Sequence, residues 1–181
     1  SGPGGRKSFW NAPFLLAITG YAFLYMAISL FFLLPVFLGS FNPTRRQIGL
    51  IMGINSLVAI FVRPVFGPVI DRKGGRRLAL MGIAVLMAVV PAFHLVRDAG
   101  WLPMGLNALF GLGWGISMTA SIAVCSDHTP TDRIAHSMGI IGVAGLVANA
   151  LGPWAGEKII RAWGFGGLFN VSLVLLALAA V

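Results

Sequence analysis

The chain has 181 residues, of which 57% are hydrophobic and only 10% are charged, and its mean hydropathy is +0.89. Because a soluble domain carries about 25% charged residues, this composition excludes a soluble globular fold. The net charge of +8 does not indicate nucleic-acid binding, since the basic residues occupy short gaps between apolar runs and form no basic face.

The first 12 residues, which are rich in glycine and polar side chains, precede the first apolar run, so we expect an N-terminal tail at 1–12. If this tail is cytoplasmic, that side of the membrane carries seven basic residues: Arg6, Lys7, Arg72, Lys73, Arg76, Arg77 and Arg133. The opposite side then carries five: Arg45, Arg46, Arg97, Lys158 and Arg161. This excess follows the positive-inside rule and predicts a cytoplasmic N-terminus in a plasma membrane or bacterial inner membrane.

Six apolar runs meet or approach the roughly 20 residues that a spanning helix needs. They lie at about 13–39, 48–70, 78–96, 101–125, 134–156 and 165–181. The sequence therefore predicts an all-α polytopic membrane protein with six transmembrane helices in one bundle, 13–181. The sixth run stops at Val181 without a charged flank, and we expect the chain to be a piece of a longer protein.

Two kinds of polar residue stand out inside the first two runs. Tyr21 and Tyr25 share one helix face in the first run, and Arg63 is an ionisable residue inside the second. Charged residues in a span mark functional sites by default. Arg63 either anchors its helix by reaching toward the membrane surface or contacts substrate or gate, and the sequence leaves both open.

The gap between the second and third runs, "GPVIDRKGGRR" at 67–77, contains one of the five acidic residues of the chain. A carboxylate at Asp71 can bind the positive N-terminal end of another helix or pair with arginines across a cleft. Such a contact would hold two helix bundles together, and breaking it would open that side. In the alternative, Asp71 only neutralises its basic neighbours.

This segment resembles the loop signature of the major facilitator superfamily at every defined position. The matching residues are Gly67, Asp71, Arg72, Gly74, Arg76 and Arg77. The resemblance covers about 13–181 and implies the N-terminal half of a transporter, built as two three-helix repeats. It also implies that Asp71 and its neighbours form a cytoplasmic gate that closes against a second six-helix half.

In the family, helices one and four line the substrate cavity. The resemblance therefore implies a cavity at Tyr21, Tyr25, Asn107, Trp114 and Met118, of which the last three share a face of the fourth run. Arg63 of the second run is a further cavity candidate, because it is an ionisable residue inside a span. In the alternative, these side chains pack against neighbouring helices. The segment "NALFG" keeps only Gly111 of the antiporter pattern in helix four, and Asn107 takes the place of its arginine.

The fifth run, "GVAGLVANALGPWAGE", resembles the glycine-proline pattern in helix five of the exporters of the family. The matching residues are Gly145, Gly152, Pro153 and Gly156. Proline and packed glycines bend a helix and bring it close to a neighbour. The resemblance implies a pliable seam between two halves and favours efflux, whereas an ordinary kinked helix is the alternative.

These features predict a secondary active transporter that moves a small organic solute by alternating access, in proton-coupled efflux. Its expected partners are the lipid bilayer, the solute, protons and a second six-helix half. The alternative is a free-standing six-helix channel, scaffold or assembly subunit. The chain has a single cysteine, Cys125, and no catalytic constellation, so no enzyme activity, metal site or cofactor is predicted.

Overall fold

The computed structural model describes residues 12–129 and 133–180 of the chain, and the side chain of Asp71 lies outside the described part. Every regular element in the described part is helical. The helices are α1 Ala12–Leu30, α2 Leu34–Gly39, α3 Arg45–Lys73, α4 Gly75–Ala92, α5 Trp101–Asp127 and α6 Ile134–Ala179. Of the expected N-terminal tail at 1–12, all but Ala12 lies outside the described residues, and Ala12 begins α1.

Within residues 12–129 and 133–180, five stretches of helix are long and apolar enough to cross a membrane. They are Ala12–Gly39, Arg45–Ile70, Gly75–Leu95, Trp101–Asp127 and Ile134–Ala179. The predicted all-α membrane architecture is therefore confirmed. The number of these stretches is five and not the predicted six, because the fifth and sixth apolar runs fall within the single helix α6.

α6 contains 46 residues, and at 1.5 Å per residue its helical rise adds up to about 69 Å over both sides of an interruption. Its helical geometry is interrupted at Gly164, where φ is 68° and ψ is −173°. This backbone conformation is open to glycine and disfavoured for other residues. We call residues 134–163 the first arm of α6 and residues 165–179 the second arm.

The two arms run in opposite directions along the span Ala12–Gly39, which consists of α1, the 3-10 turn Phe31–Leu33 and α2. In the first arm, Gly145 lies against Tyr25, and Gly156 lies further along against Leu33, so residue numbers rise together. In the second arm the order is reversed. The ring of Phe165 lies 5.1 Å from that of Phe37, and Ala179 approaches Gly20 near the start of α1.

The turn between α3 and α4 consists of one residue, Gly74, with φ at +88°. Its amide donates to the carbonyl of Ile70 at 2.9 Å, which ends α3. Gly75 then packs against α5, since a Cβ there would lie 2.9 Å from Val124 Cγ2 and 3.1 Å from Ala120 O. The interval 71–77, which the apolar pattern predicts to be a loop between two spans, is therefore helical except at Gly74.

Neighbouring helices pack in the order α3, α5, α4, second arm, α1, first arm, and α1 also contacts α5. α3 and the first arm therefore lie at the two ends of this row, and the second arm lies between α4 and α1. Four phenylalanines with ring centroids 4.3–5.8 Å apart join the 3-10 turns that follow α1 and α4 to α5 and the second arm: Phe31, Phe93, Phe110 and Phe169. All four are buried.

The α4–α5 contact depends on Gly82, where the two backbones approach closely. A Cβ at this position would lie 2.6 Å from Ser117 N and 2.9 Å from Gly113 O. Both atoms belong to the backbone of α5 and cannot move independently of the helix. By contrast, a Cβ at Gly105 of α5 meets no atom within 4 Å.

We expect Gly82→Ala to destabilise the fold by about 1–3 kcal/mol, because the added methyl group forces α4 and α5 apart. The measurement is thermal unfolding of the purified protein in detergent, followed by tryptophan fluorescence. Gly105→Ala is the matched control and is expected to unfold near the wild-type temperature. Equal unfolding temperatures for the two variants would contradict this account of the α4–α5 contact.

Candidate functional site

The predicted gate residues lie around the one-residue turn at Gly74. Arg72, Arg76 and Arg77 are exposed, and the backbone at position 71 belongs to the last turn of α3. The side chain of Asp71 lies outside the described residues, so its predicted contact stays a prediction. On either side of the turn, Ile70 and Leu78 are buried against α5, which fixes the ends of both helices.

Part of the charge pattern at this turn opposes the helix dipoles. A helix C-terminus favours cations, and Arg72 and Lys73 in the last turn of α3 satisfy this preference. Asp71 places an anion at the same helix end, and Arg76 and Arg77 place cations in the first turn of α4, where anions are favoured. Helix stability therefore does not account for these three charges.

The glycines of the predicted helix-five bend lie against α1 and not on an open face. A Cβ at Gly145 would lie 3.1 Å from the Tyr25 ring, one at Gly152 would overlap Ser29, and one at Gly156 would lie 2.6 Å from Leu33 Cδ1. These three positions allow the first arm to approach α1 closely. The glycines of this arm that face open space are Gly139 and Gly142.

Pro153 lies within the first arm and removes one backbone donor from the helix. Proline has no N–H, so the carbonyl of Asn149, four residues earlier, loses its helical donor. The Asn149 side chain donates from Nδ2 to Tyr25 Oη at 3.3 Å, and its Oδ1 is buried without a hydrogen bond in the described part. Polar atoms thus collect where the first arm meets α1. The seam with a second half that the resemblance implies stays a prediction.

Of the predicted cavity residues, the structure brings Tyr21 and Tyr25 together. Their ring centroids lie 5.6 Å apart, edge to face, and both side chains border Gly145 of the first arm. Trp114 on α5 is half-buried, and its Nε1 has no hydrogen-bond partner in the described part of the chain. These residues retain unused hydrogen-bonding capacity inside the apolar bundle.

The remaining three predicted cavity residues lie elsewhere. Asn107 is only 1% exposed and donates from Nδ2 to the carbonyl of Ile51 at 2.6 Å, so it fastens α5 to α3. Met118 is 7% exposed within the main core, and Arg63 is exposed on α3. For Asn107 and Met118, the contacts are those of the packing alternative.

Sequence reasoning missed Asn149 and Asn55, two amides inside the apolar runs. Asn55 Oδ1 is buried without a hydrogen bond among the described residues, and the Asn55 backbone lies against Gly111 of α5. An asparagine four residues before a proline, within an otherwise apolar run, was the available signal for Asn149.

A cavity of about 270 Å³ opens at the end of the bundle where α3 turns into α4. Its walls come from the start of α1, the start of α4, the end of α5 and the end of the second arm. The polar residues in these walls are Tyr21, Arg76, Ser121 and His128. One residue of the predicted gate and one of the predicted cavity therefore border the same space.

The profile of the Major Facilitator Superfamily matches residues 14–181 of the chain. The chain is also similar to the multidrug resistance protein MdtG of Escherichia coli, with 28% identity over 130 residues in strains O1:K1 / APEC, E24377A and K12 / DH10B. The matched segment covers 72% of this chain and 31% of each relative. The chain thus corresponds to about a third of the length of these relatives.

We expect Asn107→Leu to lower the unfolding temperature by a few degrees, because the carbonyl of Ile51 loses a buried donor worth about 0.6–1.7 kcal/mol. Thermal unfolding in detergent measures this change. The control is Thr19→Val, which removes a polar group at an exposed position where the hydroxyl bonds only within its own helix. A variant with unchanged stability would contradict the fastening role assigned to Asn107.

Proposed function

Because the chain belongs to the major facilitator superfamily, we propose that it forms part of a secondary active transporter, which moves a small organic solute across a membrane by alternating access. The observation that carries this proposal is the cavity of about 270 Å³ shared by Arg76 of the turn and Tyr21 of the polar cluster. A movement at the turn would change the shape of the space that Tyr21 borders. That coupling is what alternating access requires.

The proposed architecture is six transmembrane spans that pack against a second half. The length of α6 is about twice the roughly 30 Å of a bilayer core, and its arms run in opposite directions along the span Ala12–Gly39. This supports two crossings within α6 and six in all. α3 and the first arm carry open glycines at Gly49, Gly53, Gly139 and Gly142, which are suited to close contact with further helices. The N-terminus is proposed to be cytoplasmic, from the positive-inside excess.

The proposed gate is the turn at Gly74. Charges that oppose the dipoles of their own helices are favourable only toward a partner outside those helices. We therefore assign Asp71 to a contact with a helix N-terminus or an arginine of the second half, and we assign Arg76 and Arg77 to acidic groups or helix C-termini facing them. Breaking these contacts would open the cytoplasmic side.

The proposed substrate contacts lie at Tyr25, Asn149 and Trp114. Their unused donors and acceptors inside an apolar bundle are suited to a solute that is mostly apolar and carries a few polar groups. The name of the relative, multidrug resistance protein, supports efflux as the direction of transport. Proton coupling is proposed on the resemblance to antiporters. The apolar runs of this chain carry no aspartate or glutamate near mid-span, so the coupling acid is assigned to the second half.

The gate is tested by Asp71→Asn in the full-length protein, reconstituted in proteoliposomes with an imposed proton gradient. We expect the initial rate of solute transport to fall at least about tenfold, because the amide removes the charge that the partner contact needs. Expression and thermal unfolding should stay at wild-type values. The matched control is Glu157→Gln, which removes an exposed carboxylate lying 3.7 Å from Arg161. Wild-type transport by Asp71→Asn, or equal losses in both variants, would refute the gate assignment.

The substrate contact is tested by Tyr25→Phe, which removes the hydroxyl that accepts from Asn149. We expect the KM for solute to rise about fivefold or more, because one hydrogen-bonding group of the site is lost. Thr19→Val is the matched hydroxyl deletion in α1, since Thr19 only donates to Leu15 O of its own helix. Equal KM values for these two variants would remove Tyr25 from the site.

A further inference from the structure

Asn170 is a polar residue on the outward face of the second arm. It is exposed, and it lines one groove together with Val174 of the second arm and Trp163, the last residue of the first arm, which are 60% and 69% exposed. An exposed amide between two exposed apolar side chains is unusual for a helix surface that faces lipid. The cavity and the turn do not use this residue.

The packing of the second arm places Asn170 near mid-membrane depth. Ser172 donates from Oγ to the carbonyl of Ala27 at 3.2 Å, so Ser172 and Ala27 lie at the same level. Within the span Ala12–Gly39, Ala27 lies about 22 Å from one end and about 18 Å from the other, at 1.5 Å per residue. Asn170 is two residues from Ser172, or about 3 Å along the axis. The amide therefore faces the hydrocarbon core and not the headgroups.

Asn170 forms no hydrogen bond with any residue of 12–129 or 133–180. Other polar side chains of the bundle bond to their own helix, as Thr119 does to Gly115 O at 2.8 Å and Ser126 to Ile122 O at 3.0 Å. An amide in hydrocarbon without a partner costs several kcal/mol. Lipid chains offer neither a donor nor an acceptor, so the amide needs a partner from protein.

An open groove of about 460 Å³ lies beside the amide and is suited to another helix. Its walls are Trp163, Gly167, Asn170, Val171, Val174 and Leu175. A Cβ at Gly167 would overlap Trp163 Cβ, so the Trp163 side chain lies over Gly167 and closes one end of the groove. Beyond it the groove follows Asn170, Val171, Val174 and Leu175 along the second arm.

The second half of the transporter is not suited to this groove. The open glycines of this chain that are proposed to contact the second half lie on α3 and the first arm, at the two ends of the helix row. The second arm lies between α4 and α1, away from both ends. The groove therefore stays available after the proposed second half has packed on α3 and the first arm.

We propose that this face binds the same face of a second copy of the protein, with the two Asn170 side chains paired across a two-fold axis. An amide carries both a donor and an acceptor, so two identical amides complete each other with two hydrogen bonds. The apolar side chains that line the groove pack around this pair. The inference concerns assembly and rests on the proposed architecture, in which the second half packs on α3 and the first arm.

The test is thiol cross-linking of the full-length protein in its native membrane. Val174→Cys is introduced after Cys125→Ala and replacement of any other cysteines, and a short bifunctional thiol reagent is added. We expect a covalent dimer. Adding Asn170→Leu should weaken self-association about tenfold, whereas Asn170→Gln should retain most of it. Met81→Cys on α4, also exposed, is the matched control and should remain monomeric.

Thermal unfolding of each variant shows whether it is folded, and Asn170→Leu is expected to fold because it only replaces a lipid-facing amide. A dimer captured through Val174→Cys that is lost with leucine and kept with glutamine supports the proposal. The proposal is overturned if Val174→Cys stays monomeric, if the dimer persists in the leucine variant, or if Met81→Cys is captured equally.

Discussion

Close backbone contact between helices is the constraint on which this bundle depends. Lipid chains are as apolar as leucine, so burying apolar side chains between two membrane helices brings little of the gain available in water. Association then depends on dispersion contacts at short range and on a few hydrogen bonds. Gly82 permits this approach between α4 and α5, Gly111 between α3 and α5, and Gly152 between the first arm and α1. The polar link from Asn107 to Ile51 adds to the second of these contacts.

The same constraint limits where charge and unpaired polarity occur. In the described segments, the charged side chains cluster at helix ends, with Arg63 inside a span and exposed. At the Gly74 turn, three charges oppose the dipoles of the helices that carry them. Structural stability selects against such an arrangement, since each unfavourable placement costs about 0.3–1 kcal/mol. We propose that the second half of the transporter is the partner outside α3 and α4 that offsets this cost.

Periodicity and composition predict much of this fold, because an apolar run of bilayer length leaves few alternatives to a spanning helix. They do not predict how sharply the chain turns. Gly74 has a positive φ and reverses the chain in one residue. Gly164 also has a positive φ and reverses the chain, although α6 is continuous by its hydrogen-bond pattern. Nor do they predict which helix faces meet. Asn107 and Trp114 share a face at helical spacing, yet Asn107 bonds to α3 whereas Trp114 keeps an unpaired N–H.

Arg76 and Tyr21 connect the two ends of the proposed mechanism, since both line the cavity near the turn. Tyr21 packs against Tyr25, and Tyr25 accepts from Asn149 of the first arm. A chain of direct contacts thus leads from the cavity to the site of the proline-freed carbonyl. A displacement of α4 at the Gly74 turn would alter the cavity wall first and would reach the first arm through the two tyrosines. The proposed gate and the proposed substrate contacts are therefore parts of one connected unit, and the close packing of α1 with the first arm keeps it intact.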